Sequence, residues 1–534
     1  MRTSGTLLLL AALTALPPYR LTAQQQGVDV HSYHFAIDIP DTGNVITAMA
    51  TVQFRTSRGY DDTLRLDLVG MRVRRVFDLV TMNRLPFLYD STVLRIATST
   101  GGRYAGRRGV LIEYSGAPRD GLIIKTNARG RRSAFGDNWP NRARYWLPTI
   151  DHPSDKARVL WSIRVPRGWR GVANQPECRP PGRPTDCIES APIPTYTMVL
   201  GATEMTRSVH RPAMAQDREV PIEVWAYPED SAFADSVPFA RATEIVETMS
   251  RIVGPYPYSK LSHVQSSTRY GGMENSTVIF YPEQDYVRQL LGEGTVRHET
   301  AHQWFGDAVT PREWADLWLS EGFASYFDLV VGAALDGDSV LVLGMRANAR
   351  SWLRSNVIDR PMVDTVEQDP NRLLNANVYP KGAWVLHMLR GEIGDSAFFT
   401  GVRDYYRQYR DSSVVSAQFQ RVMERAAGQD LGWFFQEWLY QPGHPKLEVQ
   451  WAADSTGPMV RLTVRQVQSE AWGRWEIPAV PVVFLNHGEV VARRSFRLQA
   501  RYGEIVATFM GVAAVDQVQV DPDGTLLLTA LVNP

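Results

Sequence analysis

The sequence predicts a multidomain α+β protein, and three observations carry that prediction. Hydrophobic residues alternate with polar ones from about Ser32 to Thr206, the pattern turns mixed and then helical in the middle third, and alternation returns after Pro445. A period of two marks half-buried strands, whereas i, i+3, i+4 spacing marks an amphipathic helix. A chain of 534 residues is too long for one core, which suggests about three or four structural units. The expected divisions are a leader over 1–23, a β domain over 24–210, a central mixed domain over 211–443 and a β-sandwich over 444–534.

The N-terminus reads as an export signal. Arg2 supplies a positive charge, Leu7 to Leu16 an apolar stretch, and Leu21-Thr22-Ala23 a cleavage site, so the mature protein is expected to be periplasmic or secreted. The apolar stretch is too short to cross a bilayer, and no stable membrane insertion is expected. Cys178 and Cys187, the two cysteines, flank a Pro/Gly-rich loop, which reads as a disulfide in an oxidising compartment. Lys+Arg and Asp+Glu both number 57, so no net field recruits nucleic acid.

Within the first β domain, Ile46, Ala48, Ala50, Val52 and Phe54 alternate with polar neighbours, as do Leu64, Leu66 and Leu68. Gly and Asp turns between such runs predict an antiparallel arrangement. The stretch Asn141 to Pro153 is rich in polar groups and reads as a surface turn. Further on, Pro221–Tyr227 is a predicted strand and Ser231–Val253 one long helix with Pro238 as its irregularity. Extended segments follow near 260–265 and 276–281, and residues 382–439 have a helical period. There Ser416 is the expected N-cap of a helix whose face is Phe419, Val422, Met423 and Ala426, ended by Gly428. After Pro445, Leu447, Val449 and Trp451, then Val460, Leu462 and Val464, mark the strands of the terminal sandwich.

The chemistry concentrates at His298-Glu299-Thr300-Ala301-His302. On a helix, residues four apart lie one above the other, so both imidazoles face one point. Zinc binds imidazole nitrogens at about 2.0–2.1 Å, and two of them at this spacing can share one ion. Glu299 is placed to reach a metal-bound water without ligating the metal, and Glu321, on a second predicted helix, is a third candidate ligand. Three protein ligands leave one position open, the mark of a catalytic zinc site. Trp304, Phe305, Trp314 and Trp318 around these residues suggest burial. Gly271-Gly272-Met273-Glu274-Asn275 lies between extended segments, with glycines that allow close backbone approach; by itself it reads as an exposed turn. Tyr379 precedes a predicted helix and, taken alone, is unremarked.

Together these stretches resemble the M1 zinc aminopeptidases (gluzincins). The likeness rests on His298-Glu299-x-x-His302-Gln303-Trp304-Phe305-Gly306, on the eighteen residues before Glu321, and on Gly-Gly-Met-Glu-Asn and Tyr379-Pro380-Lys381-Gly382. It extends upstream to Arg144–Ala157 and downstream to Trp438–Gly443. The resemblance implies a saddle-like N-terminal β domain, a thermolysin-like α/β catalytic domain with a helical lobe, and a C-terminal β-sandwich, without the helical domain that follows in longer members. It implies one Zn2+ per chain held by His298, His302 and Glu321, with Glu299 as general base toward a zinc-activated water. It further implies Tyr379 as the group that stabilises the tetrahedral intermediate, and Glu274 as the grip on a substrate's free amino terminus. Gly271, Gly272, Met273 and Asn275 would complete the substrate-binding stretch. The implied activity is release of the N-terminal residue from peptides with a free N-terminus. An epoxide hydrolase of the family's leukotriene hydrolase branch and a non-catalytic peptide-binding scaffold are the competing readings. Many members also place a Gln or Glu from the β domain at the amine site. Here the count back from Arg144 reaches Trp139, with Asp137 and Asn138 adjacent.

Overall fold

The computed structural model describes residues 27–57, 60–98, 107–175, 189–454, 457–512 and 514–534. The expected signal segment and the Cys178/Cys187 pair lie outside the described residues.

The N-terminal β region is built on a six-stranded sheet in the order Ile193–Pro194, Lys156–Arg164, Val28–Asp38, Ile46–Thr56, Arg107–Gly116, Arg72–Asp78. Along Ile46–Thr56 every second side chain is buried, which is how an alternating sequence seats one face on a core. The expectation of a purely antiparallel arrangement is corrected at one ladder: Val28–Asp38 runs parallel to Lys156–Arg164, from Ser32 beside Arg158 to Asp38 beside Arg164. More than a hundred residues separate the two strands, so no hairpin constrains their direction.

The stretch expected as a surface turn, Asn141–Pro153, is instead packed inside. Trp146 and Leu147 are fully buried, and so are Asp151 and His152. Its polar groups are satisfied internally: the Arg144 guanidinium donates to Asp151 at 3.0 Å and lies 3.6 Å from Asp67. Composition marked these residues as polar; the pairing that permits their burial is made only in three dimensions.

The central region opens on a four-stranded sheet, Thr206–Val209, Ile222–Ala226, Leu261–Ser266, Val278–Pro282. The last three are parallel and buried along their length except at Pro282, as strands covered on both faces must be. The expected long helix over 231–253 is two: Ser231–Ser236 and Ala242–Ile252. Pro238 lacks an N–H and restricts the residue before it, and the chain leaves helical geometry at Val237 (φ −120°, ψ −79°).

Two helices then pack together, one carrying the histidines (Glu293–His302) and one carrying Glu321 (Trp318–Asp336). The helical lobe that follows includes Ser339–Leu353, Gly382–Tyr409 and Ser416–Ala427, with Gly394 (φ +79°) breaking the second of these. A short strand, Ser412–Val414, interrupts the helical period and runs parallel to Val309–Pro311. Ser416 is not the N-cap; Val415 is, and the Gln418 side chain accepts from its N–H at 2.9 Å. The Ser416 hydroxyl is diverted to donate to buried Asp316 (2.5 Å) and accept from Trp318 Nε1 (2.8 Å), which ties this helix to the start of the glutamate helix. Gly428 ends the helix in a left-handed conformation, as expected.

The C-terminal part is two sheets, one of four strands (Glu504–Met510, Met459–Gln466, Lys446–Ala453, Thr529–Asn533) and one of three (Glu489–Leu498, Ile477–Asn486, Gln517–Val520). The whole is a multidomain α+β fold. Among the described residues, no helix is long and apolar enough to cross a membrane.

Candidate metal centre and its cavity

The histidine helix ends on its second imidazole, and the chain turns back immediately. Gly306 makes the return possible: its φ is +125°, and a Cβ there would lie 2.4 Å from Ser320 Oγ and 3.0 Å from His302 Nδ1. The glutamate helix begins twelve residues on, at Trp318, and presents Glu321 one turn in.

The three candidate ligand atoms converge. His298 Nε2 and His302 Nε2 are 3.1 Å apart, and Glu321 Oε2 lies 3.4 Å from the first and 3.2 Å from the second. Bonds of ~2.0–2.1 Å to a tetrahedral centre put ligand atoms about 3.3 Å from one another, so the triangle has the size zinc requires. Two further features fit an ion. Glu321 Oε2 is buried without a hydrogen bond. His302 Nδ1 faces the Phe305 carbonyl at 3.1 Å and Ser320 Oγ at 3.0 Å; a proton held there leaves the Nε2 lone pair aimed at the centre.

Around this triangle lies a cavity of about 500 Å³, whose lining includes Glu274, Glu299, Tyr379, Gly271, Gly272 and Met273. Glu274 is not on an exposed turn; it is only 6% exposed, and Asn275 behind it is fully buried. Met273 and Phe280 exchange backbone hydrogen bonds of 2.8 and 3.0 Å, which folds the loop over the neighbouring strand. Gln303, in the turn after the histidine helix, clamps it from the other side. Its amide donates to the Glu274 carbonyl at 2.9 Å and to Asp307 at 3.0 Å, and its oxygen accepts from Thr277 N–H at 2.8 Å. Sequence reasoning passed over Gln303, Ser320 and Asp316 as working parts of the site. For Gln303 a signal existed, since it stands inside the motif quoted for the resemblance.

Glu299 sits beside His298 with its carboxylate against Gly272; a Cβ at that glycine would fall 2.0 Å from Glu299 Oε1. The Glu274 and Glu299 carboxylates thus meet in one cavity. Tyr379 lies in a π-helical turn, Asn377–Lys381, rather than simply before a helix, and its ring stacks on that of His298 (centroids 6.1 Å apart, 20°). The turn is held against the metal side because Gly382 and Gly322 meet backbone to backbone: a Cβ on either would come within 3 Å of the other. Of the aromatics expected around the site, Trp304, Phe305 and Trp318 are fully buried, and Trp314 packs on Trp139.

Burial and the crowding of carboxylates set the electrostatics of the site. Burial raises the Glu299 carboxyl well above its usual range against the pull of His302, with Glu274 and Glu321 adding to the rise. Burial likewise lifts Glu274 to about 7. Burial would raise Glu321 too, but the two imidazoles beside it outweigh that and hold it at about 2. Tyr379 is pushed far up, first by burial and then by Glu321 and Glu274, so its phenol remains a hydrogen-bond donor.

Asp137 and Asn138 do not reach the cavity. Asp137 is fully buried between Arg142 (2.5 Å) and Arg269 (3.0 Å). Asn138 donates to the Met198 carbonyl and accepts from Trp146 Nε1. Among the described residues of the β region, Trp139 is the one that lines the cavity.

Residues 239–438 match the model of the peptidase family M1 domain. The chain is 25% identical over 356 residues to aminopeptidase N of Streptomyces lividans, covering 64% of this chain and 40% of that protein. It is 24% identical over 467 residues to leucyl aminopeptidase of Saccharolobus solfataricus, covering 81% and 56%. It therefore spans about half the length of these curated relatives. A crystal structure of an M1 zinc metallopeptidase from Deinococcus radiodurans aligns with a TM-score of 0.68 at 24% identity, over 79% of this chain and 95% of that one. Legionella pneumophila aminopeptidase A, in complex with aspartic acid, aligns with a TM-score of 0.79 at 17% identity, over 96% and 60%. The histidine pair, Glu274, Glu321 and Tyr379 all fall inside the segment that resembles the peptidase family M1 domain.

Proposed function

We propose that this protein is a zinc aminopeptidase, releasing the first residue from peptides that have a free N-terminus. The observation that carries the reading is the single cavity in which the His298/His302/Glu321 triangle, the Glu299 carboxylate and the buried Glu274 carboxylate meet. One Zn2+ per chain, held by the triangle, would supply Lewis acidity and a water acidified toward neutrality.

The chain's own groups do the rest. Glu274 binds the α-ammonium; a buried carboxylate left unpaired by a blocked terminus disfavours that substrate, which makes the enzyme an exopeptidase. Glu299 takes a proton from the attacking water and hands it to the leaving amine nitrogen. Tyr379 donates its phenolic hydrogen bond to the oxygen on which charge develops. Gly271, Gly272 and Met273 set the wall along which the substrate backbone lies, with Asn275 buried behind them. The same proposal takes the protein to be exported after cleavage near Ala23, with Cys178 and Cys187 bridged and domain divisions near residues 210 and 443.

Aminoacyl anilides with free and acetylated termini, assayed with and without a chelator, test the reading. Turnover of the free substrate alone, lost on chelation and restored by zinc, is expected. Equal turnover of both substrates, or turnover indifferent to metal removal, would overturn it. Release of a free amino acid also separates this activity from epoxide hydrolysis.

A further inference from the structure

The amine end of the cavity has one wall from the β region, and that wall is aromatic. Trp139 shares the cavity lining with Glu274 and Tyr270, and among the described residues no carboxylate, amide or hydroxyl side chain of the β region joins them. The Trp139 ring is firmly held. It meets Tyr270 edge to face (5.9 Å, 82°) and Trp314 in the same manner (5.5 Å, 67°), while Tyr196 backs Trp314 at 5.5 Å. Arg142 donates to the Trp139 carbonyl at 2.6 Å and covers a face of Tyr270, with its guanidinium 5.5 Å from the ring centroid. Tyr270 is thus braced by a cation of the protein itself, whereas Trp139, buried to 3% exposure, meets the cavity with no charged side chain of the described residues over its ring.

Resting on the aminopeptidase reading, we propose that Trp139 and Glu274 together bind the substrate's terminal ammonium, the carboxylate by charge and the indole by cation–π attraction, and that this site accepts N-methylated termini. An indole face attracts positive charge through its quadrupole and needs no N–H to do so. A clamp of hydrogen-bond acceptors loses a bond when a methyl replaces a proton on nitrogen; an aromatic wall gains contact. The ligand class is therefore primary and N-methyl α-amines.

The test is calorimetry on the zinc-loaded full-length protein with Glu299→Gln, which binds without turning over, using leucinamide, N-methylleucinamide and N-acetylleucinamide. N-methylleucinamide is expected to bind within about 3-fold of leucinamide, and the acetyl compound not at all. Trp139→Leu should weaken both amines by about 10-fold, the scale of a desolvated cation–π contact, and Trp139→Phe should recover most of that. Trp139→Gln should keep leucinamide and discriminate against the methyl compound. The ratio in the parent needs no Trp139 variant, so the test holds even if Trp139→Leu does not fold. Exclusion of N-methylleucinamide alone overturns the aromatic site and spares the aminopeptidase reading. Equal binding of leucinamide and its acetyl form overturns both. Unchanged affinity in a folded Trp139→Leu protein also overturns the aromatic site.

Discussion

Two sets of buried charges in this molecule are built on opposite rules. In the β region, Arg144 pairs with Asp151 and Asp67, and Arg142 and Arg269 pair with Asp137. Every carboxylate there has a guanidinium beside it. In the cavity, Glu274, Glu299 and Glu321 crowd around two imidazoles, with no lysine or arginine among the lining residues. Taking a charge out of water costs several kcal/mol unless a partner compensates it (about 3–5 kcal/mol when one partner of a buried pair is lost). The first cluster meets that cost within the protein and so holds the domain together. The second has only the two imidazoles, and under the proposed function a cation and a substrate ammonium would complete it. The difference separates structural charge from functional charge more sharply than burial does, because both clusters are buried.

The largest expected effect breaks the unpaired side. Glu299→Gln keeps shape and removes the proton acceptor, so kcat should fall by about 10²–10⁴-fold while zinc content and Tm stay unchanged. Steady-state kinetics beside metal analysis will show it, and loss of zinc in this variant would contradict the separation of base from ligands. Next comes the paired side. Arg144→Met strands Asp151 without its cation, so stability should drop by about 3–5 kcal/mol in urea unfolding, with kcat per folded molecule unaltered.

The smallest effect tests a carboxyl that belongs to neither cluster. Among the described residues, the Asp155 side chain is buried with one long hydrogen bond, from Tyr33 (3.5 Å), and no ion pair, and burial, with Asp29 nearby, raises it to about 8. Between the unfolded value of 3.8 and about 8, the folded protein holds a proton that the unfolded chain has released. Stability therefore falls as pH rises through that window. Asp155→Asn should flatten the decline, by on the order of a few kcal/mol at the alkaline end, in Tm or urea midpoints measured from pH 5 to 8.5. An identical slope in parent and variant would assign the pH dependence to other groups.

Legibility in the sequence followed how local each signal is. The four-residue step from His298 to His302 needs only a helix, and the alternation in Ile46–Thr56 needs only a strand; both are written in neighbouring residues. The break at Pro238 was visible as a proline, but whether it kinks or ends a helix depends on what the flanking turns pack against. Ser416 has the chemistry of an N-cap and was diverted because Asp316, a hundred residues away, needed donors. The burial of Asn141–Pro153 was hidden for the same reason: Arg144 and Asp151 are polar letters until the fold sets them against each other and Asp67.

By itself, then, the chain's order of residues determined the histidine pair, the base beside it, the resemblance that singled out Glu274, Glu321 and Tyr379, and the β–mixed–β plan. Only the tertiary structure decided that Glu321 Oε2 comes within 3.4 Å of both imidazoles, that Asp137 and Asn138 turn inward, and that Trp139 faces the cavity. Spacing along a helix or strand is set by backbone geometry within a few residues, whereas the meeting of distant side chains is set by which surfaces are buried together. That choice is made by the whole core at once.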